Sequence, residues 1–87
     1  DPTEAAYATM VQTVDDALGT IVHSLRQTKQ LDNTLIVFTS DNGGLSQTAR
    51  GGVRNQHNLP LRSGKGSAYE GGIRVPFAIA GPGIPPG

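Results

Sequence analysis

Apolar residues recur at helical spacing along the first third of the chain. Tyr7, Val11, Val14, Leu18, Ile21, Val22 and Leu25 fall at i, i+4, i+7, i+11, i+14, i+15 and i+18, one stripe of a 3.6-residue helix. Thr9, Gln12, Thr13, Asp16, Thr20, Ser24 and Gln27 fall mostly off that stripe. Asp1-Pro2-Thr3-Glu4 is a start signal: Asp1 can cap, Pro2 suits the first helical position and Glu4 can reach back. The pattern predicts a helix from about Pro2 to Thr28. Leu31-Asp32-Asn33-Thr34 predicts a turn, because Asp and Asn side chains bond nearby backbone in place of a ladder.

Leu35-Ile36-Val37-Phe38 is a continuous apolar run opening a strand that extends to Ser40. So short a run without polar alternation predicts a strand covered on both faces, as in a parallel α/β sheet. Val75 to Ala80, bounded by Gly71-Gly72 and Gly81-Pro82-Gly83, predicts a second buried strand. One helix covers only one face, and exposed unpaired apolar strands are aggregation edges. Long amphipathic helix, buried strand, long Gly-rich loop and second buried strand therefore predict a slice of a larger α/β sandwich, with residues 1–87 forming part of one catalytic domain and no separate second domain.

Composition sharpens this picture. A chain of 87 residues makes at most one small domain with a thin core. The absence of cysteine removes disulfides, thiolate metal sites and cysteine nucleophiles from these residues. With 36% apolar and 16% charged residues, neither a membrane span nor a highly charged disordered tail fits. No stretch has the order of a signal peptide and the chain does not begin with Met, so the compartment is unread. The zero net charge hides a split. Residues 1–40 carry five acidic and two basic side chains, residues 41–87 two acidic and five basic, and only Gly19 of the 12 glycines precedes position 43. A helical acidic piece thus precedes a loop-rich basic one.

The loop from Asp41 to about Ser67 holds the candidate chemistry. Asp41-Asn42-Gly43-Gly44 directly follows the first strand, and ligands of open α/β sheets collect at the carboxyl ends of strands. A carboxylate and an amide carbonyl are hard oxygen donors suited to Ca²⁺ or Mg²⁺, while the same four residues are also common turn chemistry. Two ligands do not complete a calcium site, so further carboxylates would come from elsewhere. Arg50, Arg54, Arg62 and Lys65 lie between Asn42 and Glu70 with no acidic residue among them. Gly64-Lys65-Gly66 frees the backbone around one ammonium, which either contacts an anionic oxygen or belongs to a solvated basic surface. Arg62, behind Pro60-Leu61, fits an internal ion pair as well as a substrate contact. His23 reads as surface on the helix; His57 lies where it could reach a substrate. Tyr69-Glu70-Gly71-Gly72 predicts the turn into the second strand, with Glu70 paired to an Arg such as Arg74. Ser-His-Asp, His-Glu-x-x-His, Walker and dinucleotide patterns are absent.

Three linked stretches resemble a known family. Tyr7…Val14-Asp15-Asp16-Ala17…Gly19, then Asp32-Asn33-Thr34-Leu35-Ile36-Val37-Phe38-Thr39-Ser40-Asp41-Asn42-Gly43-Gly44, and Asn58-Leu59-Pro60-Leu61-Arg62-Ser63-Gly64-Lys65-Gly66-Ser67-Ala68-Tyr69-Glu70-Gly71-Gly72-Ile73-Arg74-Val75-Pro76 together resemble a C-terminal segment of the sulfatase catalytic domain. The resemblance is to the arylsulfatase type, in the alkaline-phosphatase-like superfamily, and it covers nearly the whole chain. It implies a sulfuric-ester hydrolase with an oxygen-ligated divalent cation, generally Ca²⁺, with Mg²⁺ as the alternative, and a formylglycine made from Cys or Ser. By position, Asp41 and Asn42 match the family's second pair of metal ligands and Lys65 its sulfate-contacting lysine.

The resemblance further implies a sulfate-ester small molecule or sulfated glycan as substrate, no nucleic acid, the remainder of the same catalytic domain as partner, and a periplasmic, secreted or lysosomal setting. The signature Cys or Ser followed by x-Pro-x-Arg is absent here, as are the earlier acidic ligands and the other Lys and His residues of the sulfate pocket, so these residues are expected to be inactive alone. Lys29 stands where the family often ends this helix with Gly, and a left-handed Lys there is strained. Leu45 to Gln56 is where such enzymes vary. A phosphodiesterase or phosphonate hydrolase of the same superfamily, or a noncatalytic anion-binding remnant, are the competing expectations.

Overall fold

A computed structural model describes residues 2–45 and 57–87 of the chain. Asp1, expected to cap the helix, and Arg50, Arg54 and residues 46–56 of the basic loop lie outside the described residues. Helix α1 spans Pro2–Gln27, a 3₁₀ turn Leu31–Asn33, strand β1 Ile36–Thr39, the short helix α2 Glu70–Ile73 and strand β2 Phe77–Ala80.

By its contacts the chain divides into two units, residues 1–36 with 79–87 and residues 37–78. In the first, α1 begins at Pro2 as its start signal predicts. It closes with two bonds typical of a left-handed stop: Gln30 N–H donates to Leu25 C=O at 2.8 Å and Lys29 N–H to Arg26 C=O at 3.1 Å, the paired geometry of a Schellman motif. Lys29 itself has φ 58°, the left-handed state, at the position where the resemblance places Gly. On the apolar stripe Leu18, Val22 and Leu25 are half-buried, as is Leu31 of the 3₁₀ turn that contacts α1. Tyr7, Val11, Val14 and Ile21 remain exposed.

β1 and β2 pair in one two-stranded sheet and run antiparallel. The contacts beyond their ends agree: Gly81 abuts Thr34 and Leu35, whereas Gly43 N–H reaches Gly72 C=O at 2.9 Å. This corrects two expectations. The strands are one another's partners, and the pair is antiparallel, because a continuous apolar run reports coverage and carries no information about direction.

Burial corrects a third. β1 alternates, with Ile36 and Phe38 half-buried and Val37 exposed, and all four residues of β2 are exposed. Successive strand side chains face opposite sides of a sheet, so the apolar second face needs cover that these residues do not supply. No apolar side chain among the described residues is fully buried. The chain is thus a small α/β piece, and no helix among the described residues is long and apolar enough to cross a membrane.

Candidate functional site

The second unit contains every described residue to which the sequence assigns chemistry apart from the helical His23, which is exposed on α1. β1 delivers the chain to Asp41, and the Ser40 hydroxyl donates to Asn42 C=O at 2.9 Å, folding the backbone into a tight turn of the kind Ser favours. Asp41 is exposed and Asn42 half-buried. Asn42 Nδ2 donates to Gly43 C=O at 2.9 Å, which engages the amide's donor end and leaves Oδ1 as an available acceptor. The turn therefore offers a carboxylate and an amide oxygen at the end of a strand, a donor set that fits a hard cation. Among the described residues no group of three or more His, Cys, Asp or Glu gathers to complete such a site.

Gly43 and Gly44 tie this turn to the rest of the unit. Gly43 N–H donates to Gly72 C=O at 2.9 Å, and Gly44 C=O accepts the Lys65 N–H at 2.9 Å. Gly71 N–H in turn donates to Arg62 C=O at 2.8 Å. A β-carbon at Gly43 would run into Gly71 O, one at Gly71 into Ser63 O and one at Gly72 into Ser67 O. Three stretches of backbone thus pack without side chains between them, an approach only glycine permits. The result sets Lys65 on backbone bonded directly to the Asp41-Asn42 turn, although 24 positions separate Lys65 from Asp41 in the sequence. Lys65 is exposed, and no described residue pairs with its ammonium.

Arg62 has a contact the sequence did not show, and Glu70 departs from expectation. The Arg62 guanidinium lies over the Tyr69 ring, 3.7 Å from its centroid, a cation–π contact. Among the described residues Glu70 makes no ion pair with Arg74; it opens α2, and Arg74 N–H closes that helix on Glu70 C=O at 2.9 Å. Tyr69 to Gly72, expected as a turn, is thus mostly a short helix with Gly71 and Gly72 buried. His57 is half-buried.

Sequence reasoning passed over Asn58. Its Oδ1 accepts Gly44 N–H at 2.9 Å, and its Nδ2 donates to Gly44 C=O at 2.6 Å and Ser63 C=O at 3.1 Å. The available signal was an Asn two residues before a proline in a loop, where Asn side chains commonly take the place of backbone partners. The turn it opens is closed by Leu61 N–H on Asn58 C=O at 2.8 Å and contains the cis Leu59–Pro60 peptide.

A family model described as Sulfatase matches residues 3–87. The chain is 42% identical over 84 residues to N-acetylgalactosamine-6-sulfatase of Sus scrofa, covering 93% of the chain and 15% of that protein. It is 37% identical over 90 residues to a sulfatase of Formosa agariphila, covering 94% and 15%, and 41% identical over 76 residues to human arylsulfatase A, covering 85% and 14%. The chain therefore spans about 15% of the length of the curated relatives it matches.

Proposed function

Since the chain belongs to the sulfatase family, we propose that the full-length protein carrying it hydrolyses sulfuric esters, and that these residues supply the electrostatic half of its site. Asp41 and Asn42 act as ligands to a divalent cation, Ca²⁺ ahead of Mg²⁺, and Lys65 contacts the sulfuryl oxygens. The observation that supports this reading is the bond from Lys65 N–H to Gly44 C=O, which ties the lysine's backbone to the turn bearing both oxygen donors.

A divalent cation bound there supplies positive charge toward the sulfuryl group. The residues of this chain then have separable tasks. Asp41 and Asn42 hold hard oxygens at the strand end, and Gly43 keeps that turn against Gly72. Lys65 presents a compact ammonium to the charge that builds on oxygen as the S–O bond to the leaving group breaks, a preorganised donor that needs little rearrangement. The attacking group is not among these residues, since the chain contains no Cys and no Ser followed by x-Pro-x-Arg. The substrate proposed is a sulfate ester, either a small molecule or a sulfated glycan, and the related proteins named above, all sulfatases, favour sulfur over phosphorus at the reacting centre.

The test uses the full-length protein and a nitrophenyl sulfate. Asp41→Ala should lower calcium affinity together with turnover, and unchanged metal content with unchanged turnover would sink the assignment. Lys65→Ala should reduce kcat/KM on the order of 10²-fold, as expected for loss of one electrostatic donor. Kinetics indistinguishable from wild type would remove Lys65 from the site.

A further inference from the structure

Asn58 touches both halves of the proposed site through a single side chain. Its amide occupies the N–H and the C=O of Gly44, the residue two places after Asn42, and also the C=O of Ser63, two places before Lys65. Gly44 C=O receives the Lys65 N–H as well, so the Asn58 amide and the lysine's backbone converge on one oxygen. A planar amide with one acceptor and two donors matches this set of partners without leaving a group unpaired. Alanine has neither function, and aspartate keeps the acceptor while losing both donors. The side chain is half-buried, where such bonds are less exposed to competition from water.

We propose that Asn58 is a positioning residue that fixes the distance between the Asp41-Asn42 turn and the Lys65 loop. The proposal rests on the reading of Lys65 as the sulfate contact. Asn58 acts through Lys65 and meets no substrate itself. Ser63 sits at φ 66°, an unfavourable backbone state for a residue with a β-carbon, and the bond from Asn58 to its carbonyl helps hold the loop in that state. Displacing a reacting or charge-bearing group by about 1 Å costs up to about 10²-fold in rate, so a clamp at this point affects turnover more than binding of the remainder of the substrate.

The experiment is a double-mutant cycle in the full-length protein, loaded with calcium, using Asn58→Ala, Asn58→Asp, Lys65→Ala and the Asn58→Ala/Lys65→Ala pair. Two quantities are read: kcat and KM for a nitrophenyl sulfate, and the affinity for inorganic sulfate by calorimetry. Asn58→Ala should lower kcat by about 10- to 100-fold, the range for partners that orient a site's ligands, with KM changed by less than about threefold. Sulfate affinity should fall about tenfold. With Lys65 already replaced, the same change should cost less than about threefold in either quantity, because coupled groups are non-additive. Asn58→Asp should follow the alanine variant, since it loses both donors. Equal losses with and without Lys65 would overturn the clamp, as would failure of both Asn58 variants to accumulate as folded protein, which would make Asn58 a folding residue. Wild-type sulfate affinity in Lys65→Ala alone would instead overturn the reading of Lys65, so the two failures are distinguishable.

Discussion

Lys29 and Ser63 carry β-carbons at φ 58° and 66°, the left-handed region that costs a non-glycine residue roughly 1–2 kcal/mol. Lys29 was anticipated only through the resemblance, in which Gly often stands at this helix end; the apolar stripe itself says nothing of a left-handed residue. Ser63 and Asn58 were not legible, because the bonds that define them join residues 14 and 5 positions apart within a loop that has no periodicity. Lys29→Gly should stabilise the full-length protein by about 1 kcal/mol, since glycine relieves that strain at a left-handed stop. Urea unfolding reads this directly, and a lower midpoint would mean that the lysine side chain contributes more than its strain removes. Gly71→Ala should do the reverse. Its new β-carbon would meet the carbonyl oxygens of Ser63 and Arg62, and Arg62 C=O already accepts the Gly71 N–H, so neither backbone can move aside without losing that bond. A cost of about 1–3 kcal/mol or more is expected for such overpacking, with a fall in kcat because the Lys65 loop shifts with it.

At the scale of elements, α1 was the most readable part. Its stripe and start signal gave Pro2 and a stop within one residue of the observed Gln27. The strands were readable as strands but not as a pair, because an apolar run of four residues states that both faces want cover and is silent on which neighbour supplies it. β2 shows the consequence: Phe77 is 64% and Ile79 39% exposed, an uncharged apolar strand of the kind that templates edge-to-edge association. The 87-residue chain prepared alone should therefore self-associate, detectable as concentration-dependent light scattering. Phe77→Lys should suppress it, since a charge on an edge strand blocks pairing. Equal scattering from both chains would place the association elsewhere, for instance on the open half of the α1 stripe.

At the scale of the molecule, the chain is a short stretch of sulfatase sequence with little interior of its own. The chain spans about 15% of its relatives' length, and among the described residues no apolar side chain is fully buried. Composition anticipated the thin core, and the order of the motifs anticipated the family. Neither predicted how a 24-residue separation between Asp41 and Lys65 closes, because backbone-to-backbone bonds through glycine leave no side-chain pattern to read. Alone, the 87-residue chain should show no turnover of a nitrophenyl sulfate, and its calcium affinity should be millimolar or weaker, about the range of the weakest natural oxygen-ligand sites. Isothermal titration tests the second point, and micromolar binding would mean that the chain completes a cation site unaided.

The bonds between Gly44 and Asn58 have a consequence for how such a protein changes over time. They hold together the two ends of the segment comprising residues 45–57, so that segment is closed at its base. Closing a longer loop costs only about 0.6 kcal/mol per doubling of its length. New lengths and compositions can therefore be tried there as in an exchangeable cassette, while the turn with Asp41 and Asn42 on one side of the fastening and Lys65 on the other keep their spacing. Change in the sequence between the two fastened residues is thereby uncoupled from the backbone that carries Asp41, Asn42 and Lys65.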